Sequence, residues 1–172
     1  WIMQGYGSMA GEAAEQLREV SVNRPTHVFV QAGVGSLAGG VVGYFANLYP
    51  NNPPKFIVME AGAADCLYKG AEAGEGEPRI VGGDLQTIMA GLACGEPNTI
   101  GWDILRNHVS AFISCPDWVS AKGMRMLAAP VKGDPSVTSG ESGAVGMGVI
   151  SSIMTDDAYK ELREALELDN SS

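Results

Sequence analysis

Hydrophobic and polar residues follow one another along the chain in blocks that predict strands and helices in alternation. Two apolar, β-branched runs, at residues 27–30 and 55–60, have the composition of buried strands. Between them lies a stretch of small residues, 37–45, which has few polar side chains and no proline and therefore predicts a buried helix. Two strands joined by a helix-length segment predict a βαβ unit with parallel strands and a right-handed crossover.

The same patterns predict further elements on both sides of this unit. Apolar residues along one face predict an amphipathic helix at residues 8–20, with Ser8 as its cap, and a final one at 156–168. Residues 1–3 have the composition of a strand end. The other predicted elements are helices at 85–94, 101–108 and 117–129, a strand at 111–115, a small-residue helix ending near 154, and surface excursions at 67–84 and from 134 onward.

The turn after the first predicted strand is rich in glycine and has the form G-x-G-x-x-x-G, with glycines at Gly33, Gly35 and Gly39. Glycine lets the backbone approach a ligand closely, and the N–H groups at a helix N-terminus attract anions. The turn therefore predicts a phosphate site. No G-K-[ST] follows, so it is not a Walker loop. A dinucleotide-binding turn stays open, because Glu60 ends the next strand, and so does a packing turn without a ligand.

Two acidic residues are candidates for the same crevice. Ligands of parallel sheets bind at the carboxyl ends of the strands, which brings the glycine turn close to Glu60. The alternative for Glu60 is a partly exposed loop carboxylate. Glu141 lies in a second glycine-rich turn, 139–144, ahead of a small-residue helix. It is either a further contact in the crevice or a first-turn carboxylate that the helix dipole stabilises.

Composition limits the classes of partner and chemistry. The 172 residues suit one domain or a large part of one, and a net charge of −9 argues against nucleic acid and anionic membranes as partners. The three cysteines, Cys66, Cys94 and Cys115, have no C-x-x-C spacing and accompany only two histidines, so no metal site is predicted. We interpret them as reduced thiols of a cytoplasmic protein. No lysine lies in a motif that suggests a Schiff base.

Four segments of the chain are similar to elements of one enzyme group. They are MQGYGSMAGEA at 3–13, AGVGSLAG at 32–39, VMEAGAADC at 58–66 and SGESGAVG at 139–146. They resemble, in turn, the G-Q-G-T-x-x-x-E element, the tetraglycine phosphate loop, the V-E-P element and the E-P-S-G-A element of the fold-type II pyridoxal phosphate enzymes. Gly-Tyr-Gly replaces the usual Gly-Thr in the first, and Ala61 replaces proline in the third. Within that group, residues 82–107 resemble the diaminopropionate ammonia-lyases.

The resemblance implies a fold and a domain organisation. The fold would be α/β, a three-layer sandwich with a mostly parallel sheet like that of the tryptophan synthase β subunit. Residues 1–172 would form a single, incomplete pyridoxal phosphate-binding domain. The Schiff-base lysine and the acids that remove the α-proton are expected upstream, and a last strand is expected downstream. No catalytic residue is therefore expected within this segment, and the segment alone is expected to be inactive.

The resemblance also implies an activity. The complete protein would be a homodimer that uses pyridoxal phosphate to cleave 2,3-diaminopropionate, a small amino acid, to pyruvate and ammonia. The cofactor contacts expected from it are Ala32, Gly33, Val34, Gly35, Ser36, Glu60 and Glu141. Relatives resembling serine racemase can hold a divalent cation at the segment matching 60–65, but the spacing here differs by one residue and no metal is predicted. Cys66 and Cys94 flank segments that could line the mouth of the site, which leaves a disulfide open.

Three alternatives remain at this point. A serine or threonine dehydratase would share every cofactor feature. A dehydrogenase domain that binds NAD would account for the glycine turn together with Glu60. A non-catalytic module that binds a phosphate or a nucleotide would account for the absence of a catalytic lysine.

Overall fold

A three-stranded parallel sheet lies between two layers of helices in the structure, a computed structural model that describes residues 1–170 and 172. The elements, in chain order, are α1 (Ile2–Glu19), β1 (His27–Gln31), α2 (Ser36–Leu48), β2 (Lys55–Ala61), α3 (Cys66–Ala73), α4 (Thr99–His108), β3 (Val109–Cys115), α5 (Asp117–Ala128), α6 (Glu141–Thr155) and α7 (Lys160–Leu166). Short 3-10 turns lie at Ala90–Leu92 and Asp157–Tyr159.

Strand β2 is the centre of the sheet and pairs in parallel with both β1 and β3. Val58 is the register partner of Val30 on one side and of Phe112 on the other. A strand that is covered on both faces needs apolar residues at nearly every position, which the run from Phe56 to Met59 supplies. The predicted βαβ unit and the α/β fold class are both confirmed.

Alternate residues of β2 point into two separate hydrophobic cores. Phe56 and Val58 pack with residues of α1, α2 and α4, whereas Ile57 and Met59 pack with residues of α5, α6 and α7. The sheet therefore forms the middle of three layers, as predicted. Among the described residues, no helix combines the length and the apolar character that a membrane span requires.

Helices α5 and α6 approach each other closely through two glycines. A Cβ atom on Gly123 would lie 2.0 Å from the carbonyl oxygen of Ala144, and one on Gly148 would lie 2.0 Å from that of Val119. Neither position has room for a side chain. A helix was predicted here from the small residues of α6. The same small residues allow α5 and α6 to approach this closely.

The prediction of a strand end at residues 1–3 is wrong, because α1 already begins at Ile2. Met3 packs onto α2, where a Cβ atom on Gly39 would lie 2.9 Å from the Met3 terminal methyl. The glycines of α2 leave room for this approach, and the helical face continues through buried Ala10 and Ala14. Ser8 consequently lies in the helix interior and does not cap it.

Two other predictions also fail in part. Residues 67–84 were predicted as a surface excursion, but the first part of them belongs to α3, whose Leu67 and Gly70 are buried. The final helix is interrupted, because the Asp156 carboxylate accepts a hydrogen bond from the Ala158 amide at 2.9 Å and opens a 3-10 turn. The regular helix α7 starts only at Lys160.

The predicted helix at residues 85–94 is wrong except for the turn at Ala90–Leu92. The preceding residues are bound by a side chain from another element. Asp117 accepts hydrogen bonds from the Thr87 hydroxyl and from the Ile88 amide. A backbone N–H that is held in this way is not available for a helical bond. The tertiary contact therefore overrides a helical pattern that the sequence contains.

Candidate phosphate-binding site

The glycine turn joins β1 to α2 at the carboxyl edge of the sheet. Gly35 is the N-cap of α2 and has a φ of 92°, a backbone conformation that residues other than glycine rarely adopt. The first bond of the helix runs from the Gly39 amide to the Gly35 carbonyl at 2.8 Å. The amides of Ser36, Leu37 and Ala38 therefore lack acceptors within the helix, and they lie at its positive end.

A cavity of about 200 Å³ opens directly at this helix N-terminus. Its floor is the predicted loop, since Gly33, Val34, Gly35 and Ser36 all line it. The opposite wall consists of Gly91, Leu92 and Cys94, and Tyr6 from α1 and Gln31 from β1 complete it. The amides and the positive helix end thus face an open space, which is the arrangement that binds an anion.

Ala32 is the predicted loop residue that does not line the cavity. It is buried, and its amide donates a hydrogen bond of 2.8 Å to the Met59 carbonyl of β2. This bond extends the β1–β2 ladder by one residue. Ala32 therefore holds the loop to the sheet, and its predicted contact with a cofactor stays a prediction.

Both glycines of the loop are in close contact with the rest of the protein. A Cβ atom on Gly33 would lie 3.3 Å from the Leu92 Cα atom, which belongs to the opposite wall. A Cβ atom on Gly35 would lie 3.3 Å from side-chain atoms of Leu67 and Leu105. The loop can be packed this closely on both sides only because it carries no side chains there.

Asn98 binds the loop from the side and was missed by sequence reasoning. Its backbone amide donates to the Val34 carbonyl at 2.8 Å, and its side-chain nitrogen donates to the Ser36 hydroxyl at 2.8 Å. Its side-chain oxygen accepts bonds from the amides of Ile100 and Gly101 and so caps α4. An asparagine just ahead of an apolar helix is a capping signal. The contact with Ser36, 62 residues away, leaves no local signal.

The opposite wall is fixed by a short chain of hydrogen bonds. Asp117, in the first turn of α5, accepts from the Thr87 hydroxyl and from the Ile88 amide, the latter at 3.1 Å. The Thr87 oxygen in turn accepts from the amide of buried Met89 at 3.1 Å. The Ala90–Leu92 turn follows directly. Helix α5 thereby fixes the position of this wall relative to the loop.

Glu60 is completely buried and does not line the cavity. Its two carboxylate oxygens accept hydrogen bonds from the amides of Leu67, at 2.9 Å, and Tyr68, at 2.6 Å, in the first turn of α3. Burial raises the pKa of this carboxyl to about 8, although the two amides lower it. Its local role is to cap α3, and the predicted contact with a cofactor stays a prediction.

The side chains of Asp65, Cys66 and Cys115 lie close to Glu60. Asp65 is buried and accepts a hydrogen bond of 2.7 Å from the Ser114 hydroxyl. Within the described part of the chain, no three or more His, Cys, Asp or Glu side chains are arranged so that they could hold a metal ion. Burial, followed by the charge of Glu60, raises the pKa of the Cys66 and Cys115 thiols to about 12.

The cysteines are separate thiols in this structure. The Cys66 sulfur lies 3.8 Å from the Gly33 carbonyl and 3.8 Å from the Cys94 carbonyl, so it packs beneath the loop. Cys94 is exposed, and no bond joins the two sulfurs. The disulfide that the sequence left open is not formed here.

Glu141 is the first residue of α6, and Gly140 precedes it as the N-cap. Its backbone carbonyl accepts a hydrogen bond of 2.5 Å from Ser120 of α5. The next residue, Ser142, lies close to the cavity wall, since a Cβ atom on Gly91 would be 3.3 Å from its hydroxyl oxygen. The N-terminus of α6 therefore borders the wall, and a cofactor contact of Glu141 itself stays a prediction.

Known proteins resemble this chain along its whole length. The diaminopropionate ammonia-lyase of Salmonella typhimurium is 51% identical over 173 residues, which are 100% of this chain and 43% of that protein. The chain thus spans less than half the length of this curated relative. The crystal structure of the Escherichia coli enzyme in complex with an aminoacrylate-PLP azomethine reaction intermediate matches 98% of this chain and 42% of that chain, with a TM-score of 0.87 and 51% identity.

More distant structures share the fold. The structure of maize serine racemase matches 97% of this chain and 46% of its own, with a TM-score of 0.74 at 23% identity. The family described as "Pyridoxal-phosphate dependent enzyme" matches residues 1–161 of this chain. The resemblance inferred from the four sequence segments is confirmed, and pyridoxal phosphate, not a dinucleotide, is the cofactor that this match indicates. The chain belongs to the family of pyridoxal-phosphate dependent enzymes.

Proposed function

We propose that this chain is the phosphate-binding part of a pyridoxal phosphate-dependent ammonia-lyase. The complete protein would cleave 2,3-diaminopropionate to pyruvate and ammonia. The observation that carries the proposal is the 51% identity to the Salmonella typhimurium diaminopropionate ammonia-lyase across the entire chain. Because this chain is 43% of that protein's length, residues 1–172 would be one portion of a larger cofactor-binding domain.

The loop and the cavity fit the phosphate end of this cofactor. The amides of Ser36 and Leu37 and the positive end of α2 lie at a cavity of about 200 Å³. A phosphate oxygen needs several N–H donors and close approach of the backbone, and Gly33 and Gly35 allow that approach. We assign the phosphate contacts to Gly33, Val34, Gly35 and Ser36.

The remaining residues of the site would orient and shield what the loop holds. When bound, pyridoxal phosphate supplies an electron sink that stabilises negative charge on the substrate's α-carbon. The wall at Leu92 lies against one side of the loop and would shield that side from water. No lysine among the described residues lines the cavity, so the Schiff-base lysine would come from another part of the complete protein.

The test uses the protein expressed from its complete reading frame. Pyruvate release would be followed from 2,3-diaminopropionate, serine and threonine in parallel, with pyridoxal phosphate added. Preferential turnover of 2,3-diaminopropionate is expected. Turnover of serine or threonine alone would overturn the proposed substrate but would not affect the proposed cofactor. A protein that binds no pyridoxal phosphate and turns over none of the three would overturn the enzymatic proposal.

A dehydratase is the second candidate. A probable D-serine dehydratase of Geobacillus stearothermophilus is 29% identical over 153 residues, which are 82% of this chain and 32% of that protein. The lower identity and coverage favour the ammonia-lyase. The substrate panel distinguishes the two directly.

The assembly and location of the protein belong to the same proposal. Enzymes of this fold type commonly form homodimers, and we expect a cytoplasmic homodimer that functions in amino-acid breakdown. Light scattering coupled to size-exclusion chromatography of the complete protein would give its mass. A monomer with full activity would contradict the dimer without affecting the proposed reaction.

A further inference from the structure

Besides accepting the first backbone bond of α4 through its carbonyl oxygen, Asn98 makes four hydrogen bonds at the boundary between the glycine loop and α4. Its backbone amide donates to the Val34 carbonyl, and its side-chain nitrogen donates to the Ser36 hydroxyl, both at 2.8 Å. Its side-chain oxygen accepts from the amides of Ile100, at 3.0 Å, and Gly101, at 3.1 Å. One residue thus contacts the loop backbone, the loop side chain and the helix that supports the loop.

The orientation of the Asn98 side chain follows from its partners. Two backbone N–H groups point at one terminal atom, and only an oxygen can accept from both. The other terminal atom must be the nitrogen, and it faces Ser36. An amide nitrogen only donates, so the Ser36 oxygen accepts this bond and its own hydroxyl hydrogen points elsewhere. Among the described residues, the Ser36 hydroxyl has no second partner, and Ser36 lines the cavity.

The backbone amide of Asn98 binds the Val34 carbonyl oxygen of the loop. A carbonyl oxygen that faced an anion would repel it, and the bond from the Asn98 amide occupies this oxygen. Helix α4 also lies directly against the loop, since a Cβ atom on Gly101 would be 2.8 Å from the Gly35 carbonyl oxygen. Asn98 is therefore held rigidly relative to the loop.

We infer that Asn98 is a positioning residue which makes Ser36 a hydrogen-bond donor to the bound phosphate. By donating to the Ser36 oxygen, Asn98 directs the Ser36 hydroxyl hydrogen into the cavity, where a phosphate oxygen accepts it. This inference rests on the proposed phosphate site. It adds a residue outside the loop that determines how well the loop binds a phosphate.

Two substitutions at this position separate donation from capping. Asn98→Ser keeps a side-chain oxygen that caps α4 but is too short to reach Ser36. Asn98→Asp keeps the shape and the cap, but its second oxygen would accept the Ser36 hydrogen and withdraw it from the cavity. Asn107→Ser is the control, because Asn107 lies at the other end of α4 and donates to the Asp103 carbonyl at 2.7 Å.

The experiment measures binding rather than turnover. Inorganic phosphate and pyridoxal phosphate would be titrated calorimetrically into the cofactor-free complete protein, and the ³¹P resonance of the bound cofactor would be recorded. Asn98→Ser and Ser36→Ala should each weaken phosphate binding about tenfold, since each removes the same charge-assisted bond. The double variant should be no weaker than either single variant. Asn98→Asp should bind phosphate more weakly still and should shift the ³¹P resonance of the bound cofactor. The melting temperatures of the variants should agree with that of the wild-type protein.

Each outcome has a definite meaning. Additive losses in the double variant would show that Asn98 does not act through Ser36, and they would overturn the inference. Wild-type phosphate affinity in Asn98→Ser would overturn it as well. In both of those cases the cofactor still binds, so the proposed function stands. A complete protein that binds neither probe would instead overturn the phosphate site itself, which is part of the proposed function.

Discussion

The buried carboxylate of Glu60 accepts a hydrogen bond of 2.6 Å from the backbone amide of Tyr68. Its second oxygen accepts from the Leu67 amide at 2.9 Å, so one side chain of the central strand holds the first turn of α3. Burial disfavours the ionised form more than the two amides favour it, and the pKa rises from 4.5 to about 8.

We predict that stability decreases as the pH rises from about 4.5 to about 8. The folded state binds the Glu60 proton more tightly than the unfolded state does. The stability that this tighter binding contributes is complete below the pKa of Glu60 in the unfolded state, and it is lost as the pH rises through the pKa of Glu60 in the folded state. Urea unfolding across this range would measure it. Glu60→Gln should abolish most of the slope while losing about 1 kcal/mol from a weakened cap. Equal slopes in both proteins would contradict the prediction.

The contact between α5 and α6 should tolerate no side chain at Gly148. The new Cβ atom would lie 2.0 Å from the Val119 carbonyl oxygen, so one helix must move. We expect Gly148→Ala to lower the free energy of unfolding by about 3 kcal/mol in urea titrations. Gly7→Ala is the control, because that glycine lies within α1 with nothing within 4 Å of its added Cβ atom. It should stabilise the protein by about 0.5–1 kcal/mol.

Gly35→Ala should impair both stability and phosphate binding. The alanine would have to adopt a φ of 92°, and its Cβ atom would press on Leu67 and Leu105. The backbone strain alone costs about 1–2 kcal/mol, and relief of that strain would reorient the amides of α2. Gly83→Ala is the matched control, since its φ is 101° but its Cβ atom would meet nothing within 4 Å.

Gly83→Ala should therefore show the strain without the loss of binding. Thermal unfolding and calorimetric titration with pyridoxal phosphate would be carried out on both variants. Equal affinities for the cofactor in the Gly35 and Gly83 variants would argue against a role of the loop conformation in binding.

Asp117→Asn should loosen the wall opposite the loop. Asparagine has one acceptor atom at its tip, so either the Thr87 hydroxyl hydrogen or the Ile88 amide loses its acceptor, at a cost of about 1–2 kcal/mol. Hydrogen exchange in residues 84–93 should become faster, and the cofactor should bind more weakly. Asp103→Asn is the control, because Asp103 forms an exposed ion pair with Arg106 at 3.0 Å, which contributes about 0–1 kcal/mol. Unchanged exchange in the Asp117 variant would contradict the role of this anchor.

The glycine loop was predictable because its signals are adjacent in the chain. A strand, a turn without side chains and a helix follow one another between His27 and Leu48, and each is recognisable from a few neighbouring residues. The opposite wall of the cavity was not predictable in the same way. Residues 85–94 contain a helical pattern, but Asp117 holds Thr87 and Ile88 from 30 and 29 residues away.

Sequence alone therefore determined the α/β class, the βαβ unit, the glycine loop and the family, because apolar periodicity and a contiguous motif are local properties. Only the tertiary structure decided that Asn98 contacts Ser36, that Glu60 caps α3, and that Gly148 fits against α5. Each of these depends on which distant segments the sheet brings together. A hydrogen bond or a close contact between residues far apart in the chain leaves no trace in the pattern of either segment.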